Sequence, residues 1–203
     1  AKIANQVFEA FPDTFSKNAK IIHTGNPLRK EIVALSAQPR NIRNSSQRLR
    51  ILVLGGSQGA LAINEVVPAV LADFPKEMRP SMRHQTGERT FERTQLAYAD
   101  KGLDSEDDIT IAAFISNMAE AYSWADLVIC RSGASTVSEI AAVGLPSILI
   151  PYPHHSDQQQ TQNANWLIQA GAAFLLEQKD LTAAALKALA VELHENRNKL
   201  QQM

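Results

Sequence analysis

The chain has 203 residues, 45% hydrophobic and 20% charged, with a net charge of −1, an ordinary globular balance with room for one large or two small domains. No strong field favours nucleic acid or anionic lipid, no apolar run reaches membrane-spanning length, and a single cysteine, Cys130, excludes a disulfide framework and fits a reducing compartment. These features predict a soluble, cytoplasmic protein without a signal peptide; the opening Ala1-Lys2-Ile3-Ala4 lacks methionine and reads as though cut from something longer.

Residues 1 to about 24 read as a helix end and a strand over 6–11, broken by Pro12. A second short run, 20–23, leads into Thr24-Gly25-Asn26-Pro27-Leu28-Arg29. Pro27 disfavours helix at Asn26, so this is a turn that aims Arg29 outward. Residues 38–47 are polar and read as a loop or linker. Arg40, Arg43, Arg48 and Arg50 suggest a phosphate-backbone patch, but solvated linker cations are the better reading. From residue 49 onward, strands and helices alternate. Strands are predicted over 49–54, 82–85, 109–112, 127–130, 147–150 and 173–176, each followed by a helix. The last helix spans 182–201, capped by Thr182 or Asp180. Six βα units in series predict a doubly wound, Rossmann-like parallel sheet with helices on both faces. Right-handed crossovers bring all strand C-terminal ends, with the loops at 55–59, 114–117, 131–135 and 154–160, to one edge.

The organising stretch is 127–142, Leu-Val-Ile-Cys-Arg-Ser-Gly-Ala-Ser-Thr-Val-Ser-Glu-Ile-Ala-Ala. An apolar strand feeds a helix through the turn Arg131-Ser132-Gly133. That arrangement points unpaired backbone N–H groups, and the positive end of the helix dipole, at one spot. Glu139 lies one turn further in, placed to meet a diol beside the anion, as in a nucleotide. Gly55-Gly56-Ser57-Gln58-Gly59-Ala60 is a second glycine loop. Its spacing is neither the dinucleotide pattern nor a P-loop, but it suits a phosphate cradle. Phe114-Ile115-Ser116-Asn117-Met118 offers an aromatic and backbone groups to a base ring, although core packing is the commoner fate of Phe114 and Ile115. Gln158, Gln159 and Gln160 carry neutral amides suited to a hydroxyl-rich ligand. Trp124 and Trp166 are expected in the core, 104–108 as an acidic surface loop, and 84–87 as a strand end and turn.

Two other chemistries fit parts of this pattern. Gly55, Ser57 and Gly59 also match a hydrolase nucleophile elbow, with Asp126 or Asp157 and His154, His155 or His194 as partners. That reading leaves Ser132 to Glu139 and the glutamines unexplained. His154, His155 and Asp157 suggest a metal, but adjacent histidines point apart on an extended chain and no further ligands cluster nearby.

Taken together, residues 24–29, 55–60, 84–87, 114–118, 130–146 and 159–164 closely resemble the MurG family of bacterial glycosyltransferases, in that family's order and over most of the chain. The resemblance implies the C-terminal, donor-binding half of a glycosyltransferase B fold: 1–24 a remnant of the preceding domain, 25–48 a connecting segment, and 49–203 the UDP-N-acetylglucosamine (UDP-GlcNAc) domain. It implies inverting transfer of GlcNAc to undecaprenyl-diphospho-N-acetylmuramoyl-pentapeptide in peptidoglycan synthesis, without cofactor or metal. The catalytic base, the lipid-linked acceptor site and the contact with the cytoplasmic face of the inner membrane are expected in the missing half. This chain is therefore expected to bind donor and to be inactive alone. By motif match, Glu139 receives the ribose hydroxyls and Ile115 meets uracil through its backbone, with Phe114 beside it. Ser57 and the backbone of Ala134, Ser135 and Thr136 hold the diphosphate and nearby sugar. Arg29 adds charge at the phosphates, and Gln159 with Gln160 contact GlcNAc. Gln58, Met118, Arg131, Ser132, Gly133, Val137 and Ser138 complete the implied donor-binding set. The 154–160 loop is a residue longer than the family pattern, so Gln158 is an alternative in the sugar pair. A non-catalytic or epimerase-like nucleotide-sugar module shares this architecture.

Overall fold

Short apolar runs, buried along their length in the central strands, build the sheet of the computed structural model, which describes residues 4–12, 14–15, 20–38, 40, 46–56, 59–154 and 158–203. Strands β1 (Val7–Glu9) and β2 (Ile21–His23) pair in parallel as a small separate sheet. Helix α1 (Lys30–Leu35) follows where only a turn and linker were expected. Its six residues are too few to show a helical period, and it is held by tertiary packing: Ile32 is wholly buried in the core beside α4 and α5.

Six βα units then succeed one another: β3 (Arg50–Leu54), α2 (Leu61–Ala72), β4 (Ser81–Gln85), α3 (Phe91–Ala99), β5 (Ile109–Ala112), α4 (Met118–Trp124), β6 (Leu127–Cys130), α5 (Ala134–Val143), β7 (Ser147–Leu149), α6 (Gln159–Gln169) and β8 (Ala173–Leu175). The chain closes with α7 (Ala183–Glu195) and α8 (Arg197–Gln202). The expected single terminal helix breaks at Asn196, whose side chain accepts from the Lys199 N–H and starts a new helix. Thr182 caps α7 as expected, accepting from the Ala185 N–H.

All six strands pair in parallel in the order β5-β4-β3-β6-β7-β8. Chain order reverses between β3 and β6, which is the switch point where open α/β sheets bind ligands. The pleat of β3 explains the double winding. Ile51 and Val53 face a core with Ile63, Val67 and Leu71 of α2 and Leu186 and Leu193 of α7. Leu52 and Leu54 face the opposite core, with Val128, Tyr122 of α4, Val137 and Ile140 of α5, and Leu167 of α6. Both faces of the central strands are covered, hence their unbroken apolar sequences.

Several expectations are corrected, most of them at the opposite, N-terminal edge. Arg40 is no solvated linker cation; it donates to the carbonyls of Tyr122, Ala125 and Val143. Arg48 pairs with Asp108, and the Arg50 guanidinium lies over the Trp124 ring. Arg43 lies outside the described residues. Trp124 is half-buried beneath Arg50 and Arg83, and Trp166 is 39% exposed and stacks on Phe11. Trp124 thus packs against the rim of the core, whereas Trp166 covers surface. The 104–108 loop is held by ion pairs of Glu106 with Arg79 and of Asp108 with Arg48.

Candidate donor-binding site at the sheet switch point

Leu54 and Cys130 are register partners at the ends of β3 and β6, so the loops that follow them open side by side. After Cys130 the chain turns through Arg131 and Ser132 to Gly133, which occupies the capping position of α5 with φ −64° and ψ 146° and offers no capping side chain. The first intrahelical bond runs from Val137 N to Gly133 O at 2.9 Å. The amides of Ala134, Ser135 and Thr136 precede that bond and have no partner within the helix. The helix ends at Gly144, left-handed at φ +59°, with Leu145 N bonding back to Ile140 O.

The glycine loop after β3 is built on close backbone approach. Gly59 has φ +84° and Gly87 has φ +81°, and a Cβ on Gly87 would lie 2.3 Å from Gly59 N. The backbone at Gly56 and Gly59, ahead of α2, is thus interlocked with the Thr86-Gly87 turn that leaves β4. Beneath it runs a buried polar chain. Asn64 Nδ2 donates to Thr86 O (2.8 Å) and to Thr90 Oγ1 (2.9 Å). Its Oδ1 lies 3.0 Å from His84 Nε2, and His84 Nδ1 lies 2.9 Å from the Tyr98 hydroxyl. Burial depresses the His84 pKa to about 3, so the imidazole is neutral, donating to Asn64 and accepting from Tyr98. Ser57 and Gln58, expected at the diphosphate, lie outside the described residues.

Glu139 sits on the second turn of α5. Its Oε1 accepts from Arg29 Nη2 at 2.9 Å and its Oε2 from the Tyr122 hydroxyl at 2.9 Å. Arg29 thus reaches the same helix end, but in this structure it neutralises the carboxylate. Asn26 from the same turn donates to Ser138 Oγ at 2.8 Å and to Ala134 O at 3.3 Å. The turn that Pro27 predicted therefore lies against the start of α5, with Arg29 partly covered by its ion pair.

Other expected residues have structural duties. Arg131 donates to Ile150 O, Pro151 O and Gln178 Oε1, and is half-buried with its pKa lowered chiefly by desolvation. Ser132 is wholly buried and donates to Gln160 O. Val137 is a core residue. Gln160 Oε1 accepts from the Tyr152 N–H, while Gln159 opens α6 at the surface. Gln158 precedes it in a left-handed conformation, φ +50°. Phe114 is 61% exposed, so core packing is not its role. Beside it, the Ile115 N–H donates to Gln85 Oε1 at 3.0 Å. Met118 opens α4, half-buried against the core. Cys130 is wholly buried and its thiol is pushed up to about 12, which makes it inert. A groove of about 500 Å³ runs from Ala134 and Gln159 to Phe11, Phe15 and Trp166.

Among the described residues the hydrolase candidates do not come together. Asp126 lies at the opposite edge of the sheet, accepting from the Arg50 N–H. His194 pairs with Arg197, His154 stacks edge-on with Tyr152, and Ser57, His155 and Asp157 lie outside the described residues. Among the described residues no three His, Cys, Asp or Glu converge as metal ligands, and no helix is long and apolar enough to cross a membrane.

Sequence reasoning missed Asn26, Tyr122, Gln85 and the Asn64-His84-Thr90 chain. Asn26 had a local signal in its Asn-Pro turn. Tyr122 had none, because it reaches Glu139 across an intervening strand.

The chain is 49% identical over 201 residues to the UDP-N-acetylglucosamine–N-acetylmuramyl-(pentapeptide) pyrophosphoryl-undecaprenol N-acetylglucosamine transferase of Stutzerimonas stutzeri, covering 99% of this chain and 54% of the relative. It is 45% identical over 203 residues to the protein of the same name from Coxiella burnetii, covering 56% of it. It thus spans little more than half the length of these relatives. The crystal structure of Acinetobacter baumannii MurG matches all of this chain and 55% of its own, at 37% identity and a TM-score of 0.77. A putative UDP-N-acetylglucosamine 2-epimerase from Listeria monocytogenes, 15% identical with a TM-score of 0.56, shares the fold. Residues 50–203 match the model of the glycosyltransferase family 28 C-terminal domain, and the chain belongs to that family.

Proposed function

We propose that this chain is the donor-binding part of an inverting hexosyltransferase that moves GlcNAc from UDP-GlcNAc to the muramyl 4-hydroxyl of undecaprenyl-diphospho-N-acetylmuramoyl-pentapeptide, in peptidoglycan synthesis. The observation that carries it is the uncapped start of α5 beside the interlocked glycine loop, with Glu139 one turn in. In the reaction, the acceptor oxygen bonds to the anomeric carbon as the bond from that carbon to the β-phosphate oxygen breaks. UDP leaves with added negative charge. Backbone dipoles already aimed at the diphosphate stabilise that charge without reorganising. In this reading the amides of Ala134, Ser135 and Thr136 and the loop holding Ser57 and Gln58 supply them, and no metal is needed. Arg29 is at hand beside Glu139. A ribose diol fills the acceptor positions that Arg29 and Tyr122 leave open on the largely buried Glu139 carboxylate, and a ligand lacking the diol forfeits those bonds. Phe114 and Ile115 receive the base, with the Gln85 side chain ceding the Ile115 N–H. Gln159 and Gln160 meet the sugar, with Gln158 adjacent.

Residues 1–24 are assigned to the end of the preceding domain, 25–48 to the connection, and 49–203 to the donor domain. The transfer base, the lipid-linked acceptor and the contact with the cytoplasmic membrane face belong to the half that the longer relatives carry. Calorimetric titration tests the reading. UDP and UDP-GlcNAc should bind saturably, ADP should give no heat, and EDTA should leave affinity unchanged. Equal binding of ADP would overturn uridine reading, and loss in EDTA restored by magnesium would overturn the metal-free site. Absence of UDP binding both here and in a form carrying the preceding half would overturn the whole assignment.

A further inference from the structure

The two protein groups that hold Glu139 differ in kind. Arg29 is partly exposed, with 44% of its side chain open to solvent, and belongs to the turn before α1. Tyr122 is 1% exposed, in the body of α4, with its ring in the core beside Ile32, Val128 and Val137. Burial, then the charge of Glu139, raises the phenol's pKa, so its hydroxyl remains a hydrogen-bond donor throughout the working pH range. A guanidinium on a long exposed side chain can exchange one anion for another. A phenol whose ring is packed in the core cannot follow it. A carboxylate offers about four acceptor positions; Arg29 and Tyr122 occupy one on each oxygen.

We propose that Tyr122 is the positioning residue for ribose selection, fixing the Glu139 carboxylate so that its remaining acceptor positions face the vicinal diol of the donor. The proposal rests on the reading of this site as one for a UDP-sugar. Tyr122 touches no substrate. It acts through Glu139, and it remains in place when a diphosphate draws Arg29 away. Without the phenol, the carboxylate is oriented by Arg29 alone and turns with it. Diphosphate binding persists, and discrimination for the diol is lost.

Titration of the chain with UDP and 2′-deoxy-UDP tests this. The unmodified chain should prefer UDP about tenfold, the effect of one hydrogen bond to a charged acceptor. Tyr122→Phe should reduce the preference to about twofold, with the affinity for 2′-deoxy-UDP moving by less than about twofold, and adding Glu139→Ala should remove little more. Equal weakening of both ligands by Tyr122→Phe, or a preference kept at tenfold, would overturn the proposal. An unmodified chain that binds both ligands alike, or binds neither here and in a form carrying the preceding half, would instead overturn the reading of the site on which it rests. If Tyr122→Phe loses cooperative unfolding, Tyr122→3-fluorotyrosine keeps the ring and makes the hydroxyl a stronger donor. It should widen the preference, and an unchanged value would overturn the proposal.

Discussion

The two edges of the six-stranded sheet handle helix ends in opposite ways. At the N-terminal edge, where helices finish and carbonyls point outward, arginines close them. Arg79 donates to Leu71 O and Phe74 O beyond α2, and Arg40 to Tyr122 O, Ala125 O and Val143 O at the ends of α4 and α5. At the C-terminal edge, α2, α5 and α6 begin without a side-chain cap; α4 and α7, capped by Asn117 and Thr182, differ. Cations thus gather where helix dipoles are negative, and their presence there marks closure. The edge proposed to bind ligand is marked instead by glycines and by helix starts without a capping side chain. A search for basic residues alone would choose the opposite edge from the one proposed here.

The sharpest way to break this contrast is to crowd the glycine edge. In Gly87→Ala, the new Cβ meets the backbone of Gly59 and Gly56, at 2.3 Å from Gly59 N and 2.8 Å from Gly56 O, at a φ of +81°. The contacts are with main chain, so no rotamer relieves them. Left-handed strain and overpacking together should lower unfolding free energy by about 3 kcal/mol. Urea unfolding measures this, and a loss below about 1 kcal/mol would show that the two loops are not locked together.

A smaller loss should follow acidification, again through the support of the glycine loop. His84 titrates near 6.5 in the unfolded chain and at about 3 when folded. Between those values the unfolded chain binds a proton that the folded chain refuses, so stability falls as pH falls. From pH 7 to pH 5 the loss should reach about 2 kcal/mol. His194, also lowered by burial and then by Arg197, adds in the same direction. Urea titrations at several pH values should show a flatter profile in His84→Gln than in the parent chain. Identical slopes would mean that His84 accepts a proton in the folded state.

Both the strand pattern and the uncapped start of α5 were legible in the sequence, because each rests on neighbours in the chain. The apolar run of β3, the Ser132-Gly133 turn and the Gly144 stop are local facts. The duties of Arg131 and Ser132 were not legible. Their types suit an anion site, yet their partners, Pro151 O and Gln160 O, come from later units of the fold. Helix α1 was missed for a related reason, since its stability comes from burying Ile32 and not from its own six residues. Tyr122 and Glu139 are 17 residues apart, on different helices, a spacing that no periodic pattern relates. What chain neighbours determine could be read in advance, and what tertiary partners determine could not.

The smallest effect should come from the opposite edge, and its value lies in what it leaves untouched. Arg79 joins the end of α2 to Glu106, donating to Leu71 O at 3.0 Å and to Glu106 Oε1 at 3.0 Å. Arg79→Met keeps the apolar stem and removes the donors. Lys76 remains within 3.7 Å of Glu106, so that carboxylate retains a partner. The expected cost is about 1.5 kcal/mol of stability, the lower end for hydrogen bonds to charged groups. Affinity for UDP should stay within about twofold, because the substitution acts at the end of α2 remote from its glycine-loop start. Weakened UDP binding without lost stability would mean that the two edges are coupled through α2, and that the arginines at its end also tune the ligand site.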